Sequence, residues 1–276
     1  MIPPVVDLAW LQALPDGQAS VLADVRHYLD GRDARAAFDT AHLPGAVFVD
    51  LERWLAGPAS PEEGRHPLPD PAVFAEGLAQ LGIAPGTVVV AYDDAGGVMA
   101  ARLVWMLRVL GEPAALLDGG LTAYTGPLER DEQPRTPVDV PVRPWPPEAL
   151  AELDEVARLG AGTVLLDARQ AERYRGEVET VDPRAGHIPG ARSLPCRENL
   201  DPSGRFLPVE QLRARFAAVG VDGTGDVVSS CGSGVTACHT LLALEHAGLG
   251  TGRLYVGSWS QWSADPARPG ATGEQP

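Results

Sequence analysis

The stretch Asp226-Val-Val-Ser-Ser-Cys231-Gly-Ser-Gly-Val-Thr-Ala-Cys238-His-Thr-Leu-Leu-Ala-Leu244 reads as a short strand, a glycine-punctuated turn and an apolar helix. Strands of this length buried between helices belong to parallel-sheet α/β architecture. Cys231 falls at the strand's carboxyl end, the edge at which such sheets bind ligands. The loop after it aims successive backbone N–H groups, reinforced by a helix N-terminus, at one point, a setting that favours thiolate, the nucleophilic form of cysteine. A buried, inert cysteine is the plain alternative, because Gly232 and Gly234 would serve any sharp turn.

Outward from this stretch, the chain repeats itself. Leu22-Ala-Asp-Val-Arg26 is echoed by Leu166-Asp-Ala-Arg169, and His42-Leu-Pro-Gly-Ala46 by His187-Ile-Pro-Gly-Ala191. Leu81-Gly-Ile83 before the Val88–Val90 run matches Val219-Gly-Val221 before Val227-Val228, and Asp118-Gly-Gly120 falls where Val256-Gly-Ser258 does. Four matches in order, about 140 residues apart, imply a duplicated domain. Between the copies, residues 126–147 carry prolines at 127, 134, 137, 141, 144, 146 and 147, which favours an extended connector. The expected division is a first domain over 1–125, a proline-rich linker over 126–147 and a second domain over 148–276. Helical patterns are expected over 71–81, 100–110 and 209–219, alternating with strands at 88–90, 163–166 and 226–228.

Composition narrows the chemistry. The 276 residues are 45% apolar and 21% charged, the balance of a globular protein. All 22 basic residues are arginine, so no Schiff-base lysine and no Walker loop ending in Gly-Lys-Ser/Thr is available. A net charge of −15 and a pI near 4.7 argue against a nucleic-acid partner. No run of ~20 apolar residues suggests a membrane partner, and the first residues lack the basic and apolar regions of a signal peptide. Cys196, Cys231 and Cys238 form neither an even framework nor a CxxC pair, which fits a reducing, cytoplasmic compartment. With no CxxC and no HExxH, no metal is expected, and nothing calls for a cofactor. His42 and His187 recur in both Pro-Gly turns and read as structural. Cys238, two helical turns beyond Cys231, reads as packed within its helix.

The Cys231-Gly-Ser-Gly-Val-Thr-Ala237 loop, the two His-(Leu/Ile)-Pro-Gly-Ala motifs, Asp118-Gly-Gly-Leu121 and Gly257-Ser-Trp-Ser-Gln-Trp262 together resemble the tandem-domain rhodanese family, within it the 3-mercaptopyruvate sulfurtransferase branch. The resemblance spans about Asp7 to Trp262. It implies two rhodanese-like domains, each a parallel sheet flanked by helices, with catalysis confined to the second. The equivalent strand end of the first copy, Val88-Val-Val-Ala-Tyr-Asp93-Asp94, has Asp where the cysteine would fall.

The resemblance also implies roles. Cys231 would carry a persulfide, held by the loop residues Gly232, Gly234, Val235, Thr236 and Ala237. Ser233 and His66, the latter in Arg65-His-Pro-Leu-Pro69, would form a proton relay, with His66 supplied by the first domain to an interdomain cleft. Its third member aligns with Glu52, where the branch has Asp, and Asp50 is the alternative. Arg173 would clamp the donor carboxylate, with Arg184 as a second arginine out of register. Gly232 and Ser233 are neutral where thiosulfate-type relatives carry cations, and each missing charge is worth on the order of a few kcal/mol at short range. That favours 3-mercaptopyruvate, a monoanion, as donor, with a thiol such as thioredoxin, or cyanide, as acceptor. Thiosulfate:cyanide sulfur transfer and a non-turnover persulfide carrier are the competing expectations.

Overall fold

Val88-Val-Val-Ala-Tyr92 is buried at every position, as a strand must be when both faces of its sheet are covered. The computed structural model describes residues 2–15, 17–160 and 162–276. Its contacts separate two units. One comprises Met1–Gly57, Pro69–Trp145 and Asp201–Phe206; the other comprises Pro58–Leu68, Pro146–Leu200 and Leu207–Pro276. The segment 58–68, which lies within the first repeat in sequence, thus packs with the second.

In the first unit, strands β1 (Val5–Val6), β2 (Ser20–Asp24), β3 (Val47–Phe48), β4 (Val88–Tyr92) and β5 (Ala114–Leu117) form a sheet of order β1-β5-β4-β2-β3. Its pairings are all parallel. Helices α1 (Leu8–Gln12), α2 (Ala34–Thr40), α3 (Pro71–Gln80) and α4 (Ala101–Val109) connect the strands. Asp7, Asp33 and Asp70 cap the first three by accepting N–H groups of Trp10, Ala36 and Ala72, a standard way to satisfy donors that a helix start leaves open. Phe38, Leu43, Val90, Tyr92 and Leu117 lie in its core.

The second unit repeats the plan. Strands β6 (Thr163–Asp167), β7 (Arg192–Ser193), β8 (Asp226–Ser230) and β9 (Arg253–Leu254) lie in the order β7-β6-β8-β9, again parallel. This matches β3-β2-β4-β5. Helices α5 (Leu153–Val156), α6 (Ala171–Tyr174), α7 (Val209–Ala218), α8 (Thr236–His246) and α9 (Ser258–Ala264) complete it, around a core that includes Tyr174, Ile188, Val228, Tyr255 and Trp259.

The repeated motifs prove to be one device used twice. Arg26 lies against Asp24 through Nε and Nη2 and donates to Ala41 O at 2.8 Å; Arg169 does the same with Asp167 and Gly186 O at 2.7 Å. Each pair, fully buried, ties a strand end to the residue before a His-Pro-Gly turn. The following histidine then donates through Nδ1–H to Phe38 O or Tyr174 O, both at 2.8 Å, and stacks on that residue's ring. The proline-rich stretch has no regular element before Pro147 beyond a bridge of Glu129 to His42. It lies along the first unit, with Val138 N–H on Ala79 O and Arg135 on Gly45 O.

Candidate active site

Two serines anchor the carboxyl end of β8. Ser230 Oγ donates to Leu166 O on the neighbouring strand at 2.9 Å, and Ser229 Oγ to Ala237 O in α8 at 3.1 Å. Beyond them the chain turns through Cys231–Val235 into α8. Gly234 sits at φ +76°, and a Cβ there would lie 2.5 Å from Val256 O, so only glycine allows the turn at this spacing. The turn brings Gly234 N–H to Cys231 Sγ at 3.1 Å, a donor placed where negative charge develops on sulfur. Cys231 itself is 2% exposed.

A second strand-end segment cradles the loop. Ser258 Oγ accepts Cys231 N–H at 3.0 Å and donates to Tyr255 O. Trp259 N–H and Ser260 N–H bind the carbonyls of Cys231 and Gly232 at 3.0 and 2.9 Å. Ser258 holds this position at φ +52°, a strained conformation for a non-glycine residue that persists only where surroundings enforce it. The sequence signal was present in Gly257-Ser-Trp-Ser260, but no role could be read from it.

His66 and Ser233 come together: His66 Nδ1 lies 2.7 Å from Ser233 Oγ, and both residues are 7% exposed. The 58–68 segment reaches the loop by a turn closed between Ser60 and Gly64. Arg65 N–H donates to Ser260 Oγ at 3.1 Å, fixing the backbone just before His66. The histidine is therefore delivered by a segment that packs within the unit containing Cys231.

Arg173, on α6, lies against Glu179 through Nε and Nη2, the closest approach being 2.7 Å, and its Nη2 reaches Asp182 Oδ2 at 2.9 Å. Asp182, with a side chain only 1% exposed, also pairs with Arg65. Burial works against charge on Glu179, yet the N–H groups of Asp182 and Val181 and the Arg173 guanidinium hold its carboxyl below the usual range. At Asp182 burial wins and raises the carboxyl, despite Arg65 and Arg173. Arg65 has no role legible in the histidine motif, because its carboxylate partner, Asp182, is 117 residues away.

Arg184 is placed differently. Its guanidinium donates to the carbonyls of Trp262, Ser263, Asp265 and Arg268 at 2.9–3.1 Å. These include carbonyls in the last turn of α9, groups that a helix end leaves without partners, so Arg184 braces the C-terminal segment rather than joining the loop. Glu52 lies exposed on a wide helical turn, Leu51–Leu55, in the first unit, 3.7 Å from His27 Nε2. Asp50 caps that turn, accepting Arg53 N–H at 3.2 Å.

At the equivalent strand end of the first unit, Asp93 occupies the place of the cysteine. Its Oδ1 accepts the N–H groups of Ala95 and Gly97, and its Oδ2 those of Met99 and Ala100, at 2.7–3.0 Å. The loop's donors are thereby taken up by a side chain of the chain itself.

A rhodanese-like domain model matches the chain twice, over residues 7–126 and 149–265. The chain belongs to the rhodanese family. Among its relatives is a protein of Pseudomonas aeruginosa described as "Probable 3-mercaptopyruvate sulfurtransferase", 48% identical over 84% of this chain and 85% of that one. A Mycobacterium tuberculosis protein described as "Putative thiosulfate sulfurtransferase SseB" is 41% identical over 92% and 91%. Among solved structures, this chain is similar to the 3-mercaptopyruvate sulfurtransferase of Leishmania major, with a TM-score of 0.81 and 31% identity over 95% of this chain and 74% of that one.

Proposed function

We propose that the chain is a sulfurtransferase that moves sulfur from 3-mercaptopyruvate, through a persulfide on Cys231, to a thiol or cyanide acceptor. The observation that carries this reading is the Ser233–His66 pair, 2.7 Å apart, inside a Cys231 loop whose own side chains bear no charge. Cys231 thiolate attacks the donor sulfur, the carbon–sulfur bond breaks with its electrons going to carbon, and the enolate of pyruvate leaves. The proton lost from the donor thiol is the one the enolate needs, and Ser233 and His66 carry it between them. Arg173 holds the donor carboxylate. The backbone from Gly232 to Ala237 holds the persulfide, whose outer sulfur passes to the acceptor in a second half-reaction, giving ping-pong kinetics.

In this reading catalysis belongs to the second rhodanese-like domain, 148–276, with the first, 1–125, non-catalytic and 126–147 connecting them. Thioredoxin in a reducing cytoplasm is the acceptor proposed, in keeping with three cysteines that form no disulfide. Among the described residues no helix is long and apolar enough to cross a membrane. Thiosulfate as donor is the second reading, favoured by the Arg65 guanidinium near Gly232. Thiocyanate formation with the two donors in parallel, with Cys231→Ser as blank, separates them. The expected result is strong preference for 3-mercaptopyruvate and none of either activity in the variant. Preference for thiosulfate reverses the donor assignment, and a stable persulfide without turnover on either donor makes the chain a carrier.

A further inference from the structure

Two guanidinium groups meet over the residue that follows the nucleophile. A Cβ built on Gly232 would lie 2.9 Å from Arg65 Nη2 and 3.7 Å from Arg173 Nη1. Neither nitrogen is the one committed to a carboxylate. Arg65 meets Asp182 through Nη1, and Arg173 meets Glu179 and Asp182 through Nε and Nη2. The buried Asp182 carboxylate therefore bridges the two arginines and leaves one N–H edge of each facing the space above Gly232.

We propose that Arg65 is the second arm of the donor-carboxylate clamp, paired with Arg173 through Asp182; this deepens the reading of the site as a 3-mercaptopyruvate sulfurtransferase and rests on it. The arm is held from its backbone: Arg65 N–H is bound by Ser260 Oγ. Gly64, at φ +88°, lets the segment close on Gly257, whose carbonyl would stand 2.8 Å from any Cβ there. Arg65 Nε is buried without a hydrogen-bond partner among the described residues, so the guanidinium has donor capacity that the resting site does not use. Charge fits the same ligand. Arg65, Arg169 and Arg173 face Asp167, Glu179 and Asp182, three cations against three anions, so a planar monoanion disturbs the cluster less than a dianion. Two guanidinium edges converging on one carboxylate also fix its orientation, which places the carbon–sulfur bond relative to Cys231. One short segment thus supplies both the relay histidine and a binding arm.

The test is steady-state pyruvate formation from 3-mercaptopyruvate by the full chain carrying Arg65→Gln, Arg65→Lys or Arg173→Ala. A lost charge-assisted hydrogen bond corresponds to a KM rise of about ten- to a hundredfold. That rise is expected for Arg65→Gln, with a much smaller change in kcat and a parallel weakening of inhibition by pyruvate, which keeps the carboxylate. Arg65→Lys retains a cation for Asp182 but not the planar fork; its KM is expected between those of the wild type and Arg65→Gln. Discharge of loaded persulfide by cyanide, in which no carboxylate takes part, changes far less. Folded Arg65→Gln with wild-type KM and pyruvate inhibition, while Arg173→Ala is impaired, overturns the Arg65 assignment and leaves the donor reading standing. Equal loss in both half-reactions makes Arg65 structural and also overturns it. A wild-type chain that releases no pyruvate defeats the donor reading itself.

Discussion

At the scale of single residues, the three cysteines have different fates although all are buried. Cys238 Sγ donates from the first turns of α8 back to Gly234 O in the loop at 3.3 Å, consistent with the packing expected from its spacing. Cys196 begins a short helical turn, Cys196–Asn199, and its N–H is bound by Ala168 O. Burial, and then the nearby Cys231, push its thiol up to about 12, so at neutral pH it stays protonated and unreactive. Iodoacetamide treatment of the native protein followed by peptide mapping is expected to leave Cys196 unmodified and to label it only after unfolding. Rapid native labelling of Cys196 would show that it is accessible as thiolate. Cys231 was identifiable from its position after β8 because a strand, a glycine turn and a helix are local patterns. Arg65 was not, since its meaning depends on Asp182 and Gly232, which only the fold brings to it.

At the scale of elements, strands β4, β6 and β8 and the helices α3, α4 and α7 follow from runs and periodicities short enough to read in the chain. The expected 71–81, 100–110 and 209–219 became Pro71–Gln80, Ala101–Val109 and Val209–Ala218. What was hidden is how elements hold one another. The Ser258 hydroxyl that binds Cys231 N–H, and the carbonyl of Val256 against Gly234, both come from a segment more than 20 residues beyond the loop. The close approach at Gly234 makes a prediction. Gly234→Ala must adopt a positive φ and displace Val256 O, costing about 1–3 kcal/mol and withdrawing the N–H from Cys231 Sγ. A lowered Tm together with loss of pyruvate release is expected; a variant with wild-type Tm and rate would show that the loop tolerates a side chain there. Arg184 illustrates the converse. The family resemblance offered it, out of register, as a second substrate arginine; its guanidinium here donates to the open carbonyls at the end of α9.

At the scale of the whole molecule, one plan has been written twice with one decisive change. Both units share the parallel strand order and the buried Asp-x-Arg pair that ties each His-Pro-Gly turn. In the first, the Asp93 carboxylate takes four backbone N–H groups for itself; in the second, the corresponding place is given to Cys231, and a donor is left pointing at sulfur. The duplication was readable because the motifs recur in order. The attachment of residues 58–68 to the second unit was not, because it depends on Ser260 and Gly257 far along the chain. The central claim is that sulfur rests on Cys231 between donor and acceptor. One equivalent of 3-mercaptopyruvate, added without acceptor and followed by intact mass and peptide mapping, tests it most directly. The account predicts one pyruvate released per chain and one extra sulfur atom on Cys231, removed as thiocyanate when cyanide is added. Pyruvate release with no sulfur on Cys231, or with the sulfur on Cys196 or Cys238, would contradict it.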